Sequence, residues 1–255
     1  MYPEERRQEV ATMISQRGRV SVADLADTFG VTTETVRRDL ALLERLGHVR
    51  RVHGGAVPAT TLTVTEPGLV EREHTRAEQK DRIAKLAGSY LPASGGSVLL
   101  DAGTTTGRII NGFPPDLDLS VITNSVPIAA RLAGFSSINL HMLGGRVRGT
   151  TQATVGDEAL RILDLLRVDV AFIGTNALSV EHGLSTPDTE EAAVKRAMVR
   201  SANCVVVVAD ASKVGREHLV SFAPIHSVDI LITDDEISPT DRASFQDREI
   251  EVVIA

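Results

Sequence analysis

The chain has 255 residues, of which 42% are hydrophobic, 24% charged and only 3% aromatic, a composition typical of a water-soluble globular protein rather than a disordered or fibrous one. Its single cysteine, Cys204, excludes an internal disulfide and any metal site built from several cysteines. No apolar run approaches the roughly 20 residues that span a bilayer, and the charged amino terminus, MYPEERRQEV, contains no apolar signal region. We therefore expect a cytoplasmic protein with no membrane partner.

The net charge of −7 is distributed unevenly along the chain. Residues 1–57 contain nine arginines, no lysine and eight acidic residues, for a charge of +1, so residues 58–255 carry −8. A near-neutral segment with arginine as its only strong base, followed by a long acidic segment, predicts two parts with different partners.

Three helices are predicted in the first part. The first covers residues 3–17 and ends at Gly18. Ser21 and Asp24 form a start similar to a capping box for the second helix, which ends at Gly30. Thr32 is the predicted N-cap of the third helix.

The third helix combines an apolar face with a basic one. Val36, Leu40 and Leu43 share one face, and at about 100° per residue Arg38 and Arg45 fall nearly opposite it. Two short helices joined by a tight turn, the second with a basic outer face, indicate a helix-turn-helix. The N-terminal end of a recognition helix meets base edges, and an arginine can hold guanine bidentately or clamp a phosphate. The predicted DNA contacts on this helix are Thr33, Thr35, Arg37, Arg38 and Arg45.

A basic segment, HVRRVHGGA, follows Gly47 and is typical of a strand that runs out of a small wing. Cations there lie near the phosphate backbone and position the protein without reading sequence. The residues predicted in this role are Arg50, Arg51 and His53. An arginine-rich helix face is often only solvated, and a Gly-Gly pair is often only a turn, but the combination of three helices, a tight turn and a basic strand favours DNA binding.

The run from Arg6 to Val57 resembles the N-terminal winged helix-turn-helix of the DeoR family of bacterial transcriptional regulators. Its most specific pieces are RRDL at 37–40 and RVHGGA at 51–56. Thr32 stands where many members have serine, and both residues can cap a helix.

The second part begins after a segment without hydrophobic periodicity, PATTLTVTEPGLV. A linker is therefore predicted over 58–75, between a DNA-binding domain at 1–57 and a second domain at 76–255. In the second domain, helical stretches alternate with nearly continuous Val/Ile/Leu runs, which predicts an α/β fold with a mainly parallel sheet covered on both faces. The predicted strands are 97–100, 119–123, 138–143, 168–173, 204–209, 228–233 and 250–254. The predicted helices are 76–90, 125–134, 157–166 and 188–202.

Ligands of such sheets bind at the carboxyl ends of the strands. The first strand ends in DAGTTTG, where glycine admits close approach of a ligand and a helix start offers free N–H groups to an anion. The loop lacks the lysine of a Walker motif and no GxGxxG is present, which argues against ATP and NAD. No cofactor is predicted, and no metal, because the seven histidines show no metal-ligand spacing.

Four further strand ends carry glycine or polar side chains. Each alone is consistent with a simple turn or cap, but the five together predict a pocket for an anionic, hydroxylated ligand such as a phosphorylated sugar. Lys213 or Arg146 would balance the phosphate charge, and Asp101, Asn124 and Asp210 would hold hydroxyls. The predicted contacts from these ends are Asp101, Gly103, Thr104, Thr105, Thr106, Thr123, Asn124, Gly144, Gly145, Arg146, Gly174, Asp210 and Lys213.

From about Arg72 to Ile254 the chain also resembles the DeoR family, whose C-terminal sensor is similar to the ribose-phosphate isomerase and glucosamine-phosphate deaminase fold. The matching positions are Asp101-x-Gly-Thr-Thr, Thr123-Asn124, Gly144-Gly145, Gly156, Gly183 before Thr186, Glu190-Glu191-Ala192 with Lys195, and Asp210-x-Ser-Lys213. The resemblance implies Glu190 and Lys195 as further ligand contacts, a homo-oligomer, and repression of sugar catabolic genes that a sugar phosphate relieves. The chain looks most like actinobacterial regulators of sugar uptake and fructose use, which implies fructose 1-phosphate as the effector.

Two other functions stay open at this point. A phosphosugar isomerase or deaminase with an appended DNA-binding part would use Asp101, Glu190, Glu191 or Asp210 as a base. No motif fixes any of them to a partner, and the resemblance implies a regulator, so we predict no enzymatic activity. A DNA-binding activator would share every residue named above, and the sequence does not separate it from a repressor.

Overall fold

The structure, a computed structural model, describes residues 3–18, 20–45, 49–52, 54–58 and 66–255. The chain divides into two compact units, residues 1–64 and residues 65–255, called here the N-terminal unit and the C-terminal unit. The elements of the N-terminal unit are α1 (Pro3–Arg17), β1 (Val20–Ser21), α2 (Val22–Phe29), α3 (Thr33–Arg45), β2 (Val49–Val52) and β3 (Gly55–Pro58).

Short-range signals set the ends of α2 and α3. The Ser21 hydroxyl accepts a hydrogen bond from the Asp24 N–H at 3.0 Å, and Gly30 ends α2 with a φ of 61° in the left-handed region. The Thr32 hydroxyl accepts from the Thr35 N–H at 3.2 Å at the start of α3. Both predicted caps are confirmed, and the turn between α2 and α3 consists of three residues, Gly30, Val31 and Thr32.

The apolar faces of the three helices pack together and against a small sheet. Ile14 of α1, Leu25 of α2 and Leu40 of α3 are fully buried at the centre, and burying each such side chain contributes roughly 1.5–3 kcal/mol. The strands are antiparallel in the order β1-β3-β2. Gly55 is required there because a Cβ would collide with the Val20 carbonyl oxygen. The arrangement is the predicted winged helix-turn-helix.

The C-terminal unit contains twelve strands and seven α-helices in the described residues. Its helices are α4 (Leu69–His74), α5 (Ala77–Ala87), α6 (Thr106–Ile109), α7 (Val126–Leu132), α8 (Asp157–Leu163), α9 (Thr189–Arg200) and α10 (Pro239–Gln246). Its strands are β4 (Ser97–Leu100), β5 (Leu119–Thr123), β6 (Ile138–Met142), β7 (Arg146–Arg148), β8 (Ala153–Val155), β9 (Val168–Ile173), β10 (Ala177–Ser179), β11 (Gly183–Thr186), β12 (Ala202–Val208), β13 (Val220–Ala223), β14 (Ile230–Thr233) and β15 (Glu251–Ile254).

A seven-stranded parallel sheet in the order β15-β14-β12-β9-β4-β5-β6 forms the centre of the C-terminal unit. Helices cover both faces of this sheet. Alternate residues of one strand point to opposite faces, so neighbouring residues pack against different helices. Leu99 packs in a cluster with Met198 of α9, whereas Leu100 packs with Ile83 of α5 and Ile128 of α7. The seven predicted strands are the seven strands of this sheet, so the predicted α/β fold is confirmed.

The structure adds short elements that the sequence did not predict. A β7–β8 hairpin and a three-stranded antiparallel sheet of β10, β11 and β13 flank the parallel sheet. Helix α4 lies within the predicted linker, 58–75, and the Leu69 N–H donates to the Thr150 carbonyl at 3.1 Å. These elements span three to six residues, too few for a periodic pattern to emerge. Among the described helices, none is long and apolar enough to cross a membrane.

Candidate functional site

The outer face of α3 carries exposed arginines in the N-terminal unit. The Arg38 side chain is 80% exposed and the Arg37 side chain 63% exposed, and Thr33 and Arg45 are exposed as well. Their pairs with Glu34 span 3.4 Å from Arg38 and 3.9 Å from Arg37. Exposed pairs of this kind are worth little, so both guanidinium groups are available to another anion.

On the inner side of α3, a buried ion pair fixes the helix. The Asp39 carboxylate accepts from the Arg6 Nε at 2.7 Å and lies 3.7 Å from the Arg7 Nε. Thr35, predicted as a DNA contact, is half-buried, and its hydroxyl is 2.9 Å from the Thr32 hydroxyl. Of the predicted contacts on α3, Thr35 is thus the one engaged in the cap.

The predicted wing is the β2–β3 hairpin. Arg51 donates from its backbone N–H and its Nε to Glu44, at 2.9 and 2.6 Å, and these bonds lower the pKa of the Glu44 carboxyl. Arg51 is therefore held by α3, with half of its side chain exposed. The side chain of Arg50 and the whole of His53, both predicted DNA contacts, lie outside the described residues.

A cavity of about 210 Å³ opens at the carboxyl ends of three neighbouring strands of the C-terminal unit, β4, β9 and β12. A cavity is expected there, because ligands of parallel α/β sheets bind at the carboxyl ends of the strands. The predicted contacts that line it are Gly103, Thr104, Thr105, Thr106, Gly174, Lys195, Asp210 and Lys213.

The loop between β4 and α6 forms one wall of this cavity. The Ala102 N–H donates to Asn124 Oδ1 at 2.9 Å, and the Thr106 hydroxyl donates to the Gly103 carbonyl at 3.0 Å. In the described part of the chain, the N–H groups of Gly103, Thr104 and Thr105 have no acceptor. Successive free N–H groups beside threonine hydroxyls are a concave surface of donors that suits an anion.

Beneath the loop lies a buried ion pair. Lys195 Nζ is bonded to Asp101 Oδ2 and donates to the Gly174 carbonyl at 3.0 Å, and the Gly174 N–H donates to the same carboxylate oxygen at 3.0 Å. Asp101 is only 1% exposed, and its Oδ1 has no hydrogen-bond partner within the described ranges. The pair joins β4, β9 and α9, and its lysine, Lys195, lines the cavity.

Two other lysines reach the cavity without an ion-pair partner among the described carboxylates. Lys80 Nζ donates to the Arg72 carbonyl oxygen, and Lys213 follows the end of β12. Burial, together with the charges of Lys213, Arg72 and Arg108, lowers the pKa of Lys80 to about 8. Burial also lowers the pKa of Lys213. The charge of Asp210 raises both pKa values but does not offset the effect of burial, so an incoming anion would stabilise the charged form of each lysine.

Two acidic residues that line the cavity, Asp210 and Glu191, are bonded to other side chains. Asp210 Oδ1 accepts from the Ser212 N–H at 3.1 Å and lies 3.3 Å from the Arg76 Nε. Glu191 is bonded to the Thr151 hydroxyl and to Arg148 at 3.2 Å, and burial raises the pKa of its carboxyl. Neither of these two carboxylates forms an ion pair with Lys80 or Lys213.

The structure places seven predicted residues outside the lining of the cavity. They are Asp101, Thr123, Asn124, Gly144, Gly145, Arg146 and Glu190. The Thr123 hydroxyl donates to the Leu100 carbonyl at 2.7 Å, and Asn124 binds the Ala102 N–H and the Thr154 carbonyl. Both link neighbouring strands.

The hairpin residues of this set have different roles. Gly145 has a φ of 125°, and a Cβ there would collide with the Val155 carbonyl oxygen, so it serves the turn into β7. Arg146 and Glu190 form an exposed ion pair with each other. Arg146, one of two residues expected to balance a phosphate, therefore lies away from the cavity.

The cavity also contains residues that are not among the predicted contacts. They are Pro67, Glu71, Arg72, Thr75, Lys80, Ala102, Thr151, Thr175, Asn176, Glu191, Val208, Ala209 and Ser212. Thr175, Asn176, Glu191 and Ser212 adjoin predicted positions in sequence. Arg72 and Lys80 come from α4 and α5, which precede the sheet. Their only signal is positive charge in an amphipathic stretch, a pattern typical of any surface helix. No group of three or more potential metal ligands occurs in the part of the chain that the structure describes.

Comparison with known proteins places two family models on the chain. The DeoR-like helix-turn-helix domain matches residues 6–61, and the DeoR C terminal sensor domain matches residues 75–235. The HTH-type transcriptional regulator GlpR of Haloferax volcanii is 38% identical over 99% of this chain and 98% of its own length. The putative aga operon transcriptional repressor of Escherichia coli O157:H7 is 32% identical over 98% of this chain and 93% of its own length. Ribose 5 phosphate isomerase A from Neisseria gonorrhoeae aligns with a TM-score of 0.41 and 15% identity, over 55% of this chain and 54% of that chain.

Proposed function

Because the chain belongs to the DeoR family of transcriptional regulators, we propose that it is a repressor of sugar-related genes that a phosphorylated sugar releases from operator DNA. In this proposal residues 1–57 bind the DNA, residues 76–255 bind the effector, and residues 58–75 join them. The name of the related E. coli protein, an aga operon repressor, supports repression over activation.

Helix α3 is the proposed recognition helix. Its exposed Arg37 and Arg38 fit the fork geometry by which arginine holds guanine or a backbone phosphate, and Thr33 lies at the end that meets base edges. A homo-oligomer would place two such helices on half-sites about one helical turn apart or a multiple of it.

The cavity of the C-terminal unit is the proposed effector site, and a single observation carries this assignment. Lys80 and Lys213 lack ion-pair partners among the described carboxylates, and they share the cavity with the free N–H groups of 103–105. A phosphate dianion supplies hydrogen-bond acceptors for the N–H groups and an ion-pair partner for the two lysines. Fructose 1-phosphate is the first effector to test.

Release requires that the effector bind more tightly to an arrangement that disfavours DNA. A coupling free energy of about 1–3 kcal/mol would change operator affinity roughly 5–150-fold. We propose no turnover of the ligand. Hydrolysis, isomerisation or deamination of any sugar phosphate by the chain would support the enzyme alternative instead.

Fluorescence anisotropy with labelled DNA from upstream of the protein's own gene tests the proposal. The experiment is run at two salt concentrations and then with a panel of sugar phosphates beside the matching free sugars. We expect tight, salt-dependent binding that one phosphate ester releases and its free sugar does not. The absence of specific binding would contradict the repressor, and binding that no ester disturbs would contradict the effector site.

A further inference from the structure

Glu66 is a buried carboxylate at the start of the C-terminal unit, directly after the residues that lead from the N-terminal unit. Its side chain is 3% exposed. One oxygen accepts from Arg72 at 3.2 Å and from Asn176 at 2.9 Å, and the other accepts from Arg148 at 2.6 Å. A buried carboxylate held by three donors anchors the point where the chain enters this unit.

Two of the three partners of Glu66, Arg72 and Asn176, also line the cavity. The third, Arg148, is bonded to Glu191, which lines it as well. The Glu66 carboxylate is therefore bound by residues of a cavity that is itself suited to an anion. An anion inside the cavity and the Glu66 carboxylate compete for the same guanidinium, that of Arg72.

Helix α4, which carries Arg72, lies between two cavities. Glu71, Arg72 and Thr75 line the cavity already described. Leu69, Val70, Glu73 and His74 line a second cavity of about 360 Å³, and both cavities share Gly103 and Thr104. Empty space on the far side of α4 leaves room for the helix to move when Arg72 changes its partner.

We propose that Arg72 exchanges Glu66 for the phosphate of the effector. This exchange leaves Glu66 with Asn176 and Arg148 as its donors, weakens the anchoring of the chain at Glu66, and thereby carries the signal towards the N-terminal unit. The inference rests on the proposed function and adds a ligand contact to its effector site. A phosphate dianion accepts two parallel N–H bonds from one guanidinium, whereas Glu66 accepts a single one from Arg72. Ligand-free protein keeps the pair, and the loaded protein breaks it.

The test compares full-length variants in calorimetric titrations with inorganic phosphate. Glu66→Gln removes the competing charge, and we expect it to bind phosphate about tenfold more tightly than the unmodified chain. Glu66→Asp keeps the charge but shortens the reach to Arg72, so it should also bind more tightly. Glu78→Gln is the matched control, because Glu78 is an exposed carboxylate on the next helix, α5, and lines neither of the two cavities. It should change phosphate affinity less than about threefold.

Binding of DNA from upstream of the gene provides the second measurement. Because loss of the pair imitates the loaded state, Glu66→Gln should bind this DNA about tenfold more weakly without ligand, and fructose 1-phosphate should add little further release. Glu78→Gln should keep both the DNA affinity and its release by fructose 1-phosphate.

Two results would overturn the exchange. One is wild-type behaviour of Glu66→Gln in both titrations while the unmodified chain binds DNA and phosphate normally. The other is an equal gain in phosphate affinity for Glu66→Gln and Glu78→Gln, which would indicate a general electrostatic effect. If the unmodified chain binds neither DNA nor any phosphate, the proposed function fails, and the exchange fails with it.

Discussion

The two units hold their positive charge in opposite ways. On α3, Arg37 and Arg38 are exposed to water and only loosely paired with Glu34. In the C-terminal unit, Lys80, Lys195 and Lys213 are buried to differing degrees around a small cavity. Exposed cations suit a large polyanion, whose many weak contacts are screened by salt. Desolvated cations suit one small anion, because each contact is stronger where water is excluded. The difference predicts which substitutions change the stability of the fold, which change the affinity for DNA and which change the affinity for the ligand.

The largest expected effect is on stability and is confined to the C-terminal unit. Lys195→Ala leaves the Asp101 carboxylate buried without its cation, which costs about 3–5 kcal/mol. Arg38→Ala should change the free energy of unfolding by less than about 0.5 kcal/mol, because its side chain is exposed. Urea unfolding followed by circular dichroism measures both. A loss below about 1 kcal/mol for Lys195→Ala would contradict the contrast between the units.

The second effect concerns DNA. Arg38→Ala should weaken binding to the operator by about 1–3 kcal/mol, and if Arg38 contacts a phosphate it should reduce the salt slope by about one. Arg161→Ala, at an exposed position on α8 of the other unit, is the matched control and should have no effect. Sugar-phosphate affinity should be unchanged in both. An equal loss of DNA and ligand binding in Arg38→Ala would show that the residue was assigned wrongly.

Ligand affinity should depend on pH through Lys80. Its pKa is lowered to about 8 in the free protein, and a bound dianion would raise it, so binding takes up protons above pH 8. Affinity is then full below pH 8 and falls by up to about tenfold per pH unit above it. Calorimetry between pH 7 and pH 9.5 measures this, and Lys80→Arg, which stays charged, should flatten the profile. An unchanged affinity over this range in the unmodified protein would exclude Lys80 from the site.

The smallest effect is expected at the threonine loop. Thr105→Ala removes one hydroxyl donor and should weaken sugar-phosphate binding by about 1 kcal/mol, or roughly fivefold. Thr105→Ser keeps the hydroxyl and should restore the affinity. DNA binding without ligand should be the same in all three proteins. Full retention of ligand affinity in Thr105→Ala would remove that hydroxyl from the proposed contacts.

The sequence predicted those features that arise from local patterns. The seven strands of the parallel sheet are continuous apolar runs, and the caps at Ser21 and Thr32 depend on residues three positions apart. The family resemblance, read from motifs in both units, is confirmed. The strand-end rule found Gly103 and Lys213 because parallel strands end on one side of the sheet.

Features set by long-range packing were beyond local patterns. Arg146 follows a strand end, but the β7–β8 hairpin directs it to an exposed pair with Glu190. Arg72 and Lys80 reach the cavity because α4 and α5 pack near the strand ends, and nothing in their own segments encodes that position. The burial of Glu66 likewise depends on Arg148, which is 82 residues away in the chain.

The central claim is that binding of operator DNA and binding of a sugar phosphate weaken each other. The reciprocity of this coupling provides its most direct test. The affinity of the releasing ester is measured by calorimetry on the free protein and on the protein saturated with operator DNA. Coupling requires that the DNA weaken ester binding by the same factor by which the ester weakens DNA binding, roughly 5–150-fold. Equal ester affinity in the two titrations would contradict the account.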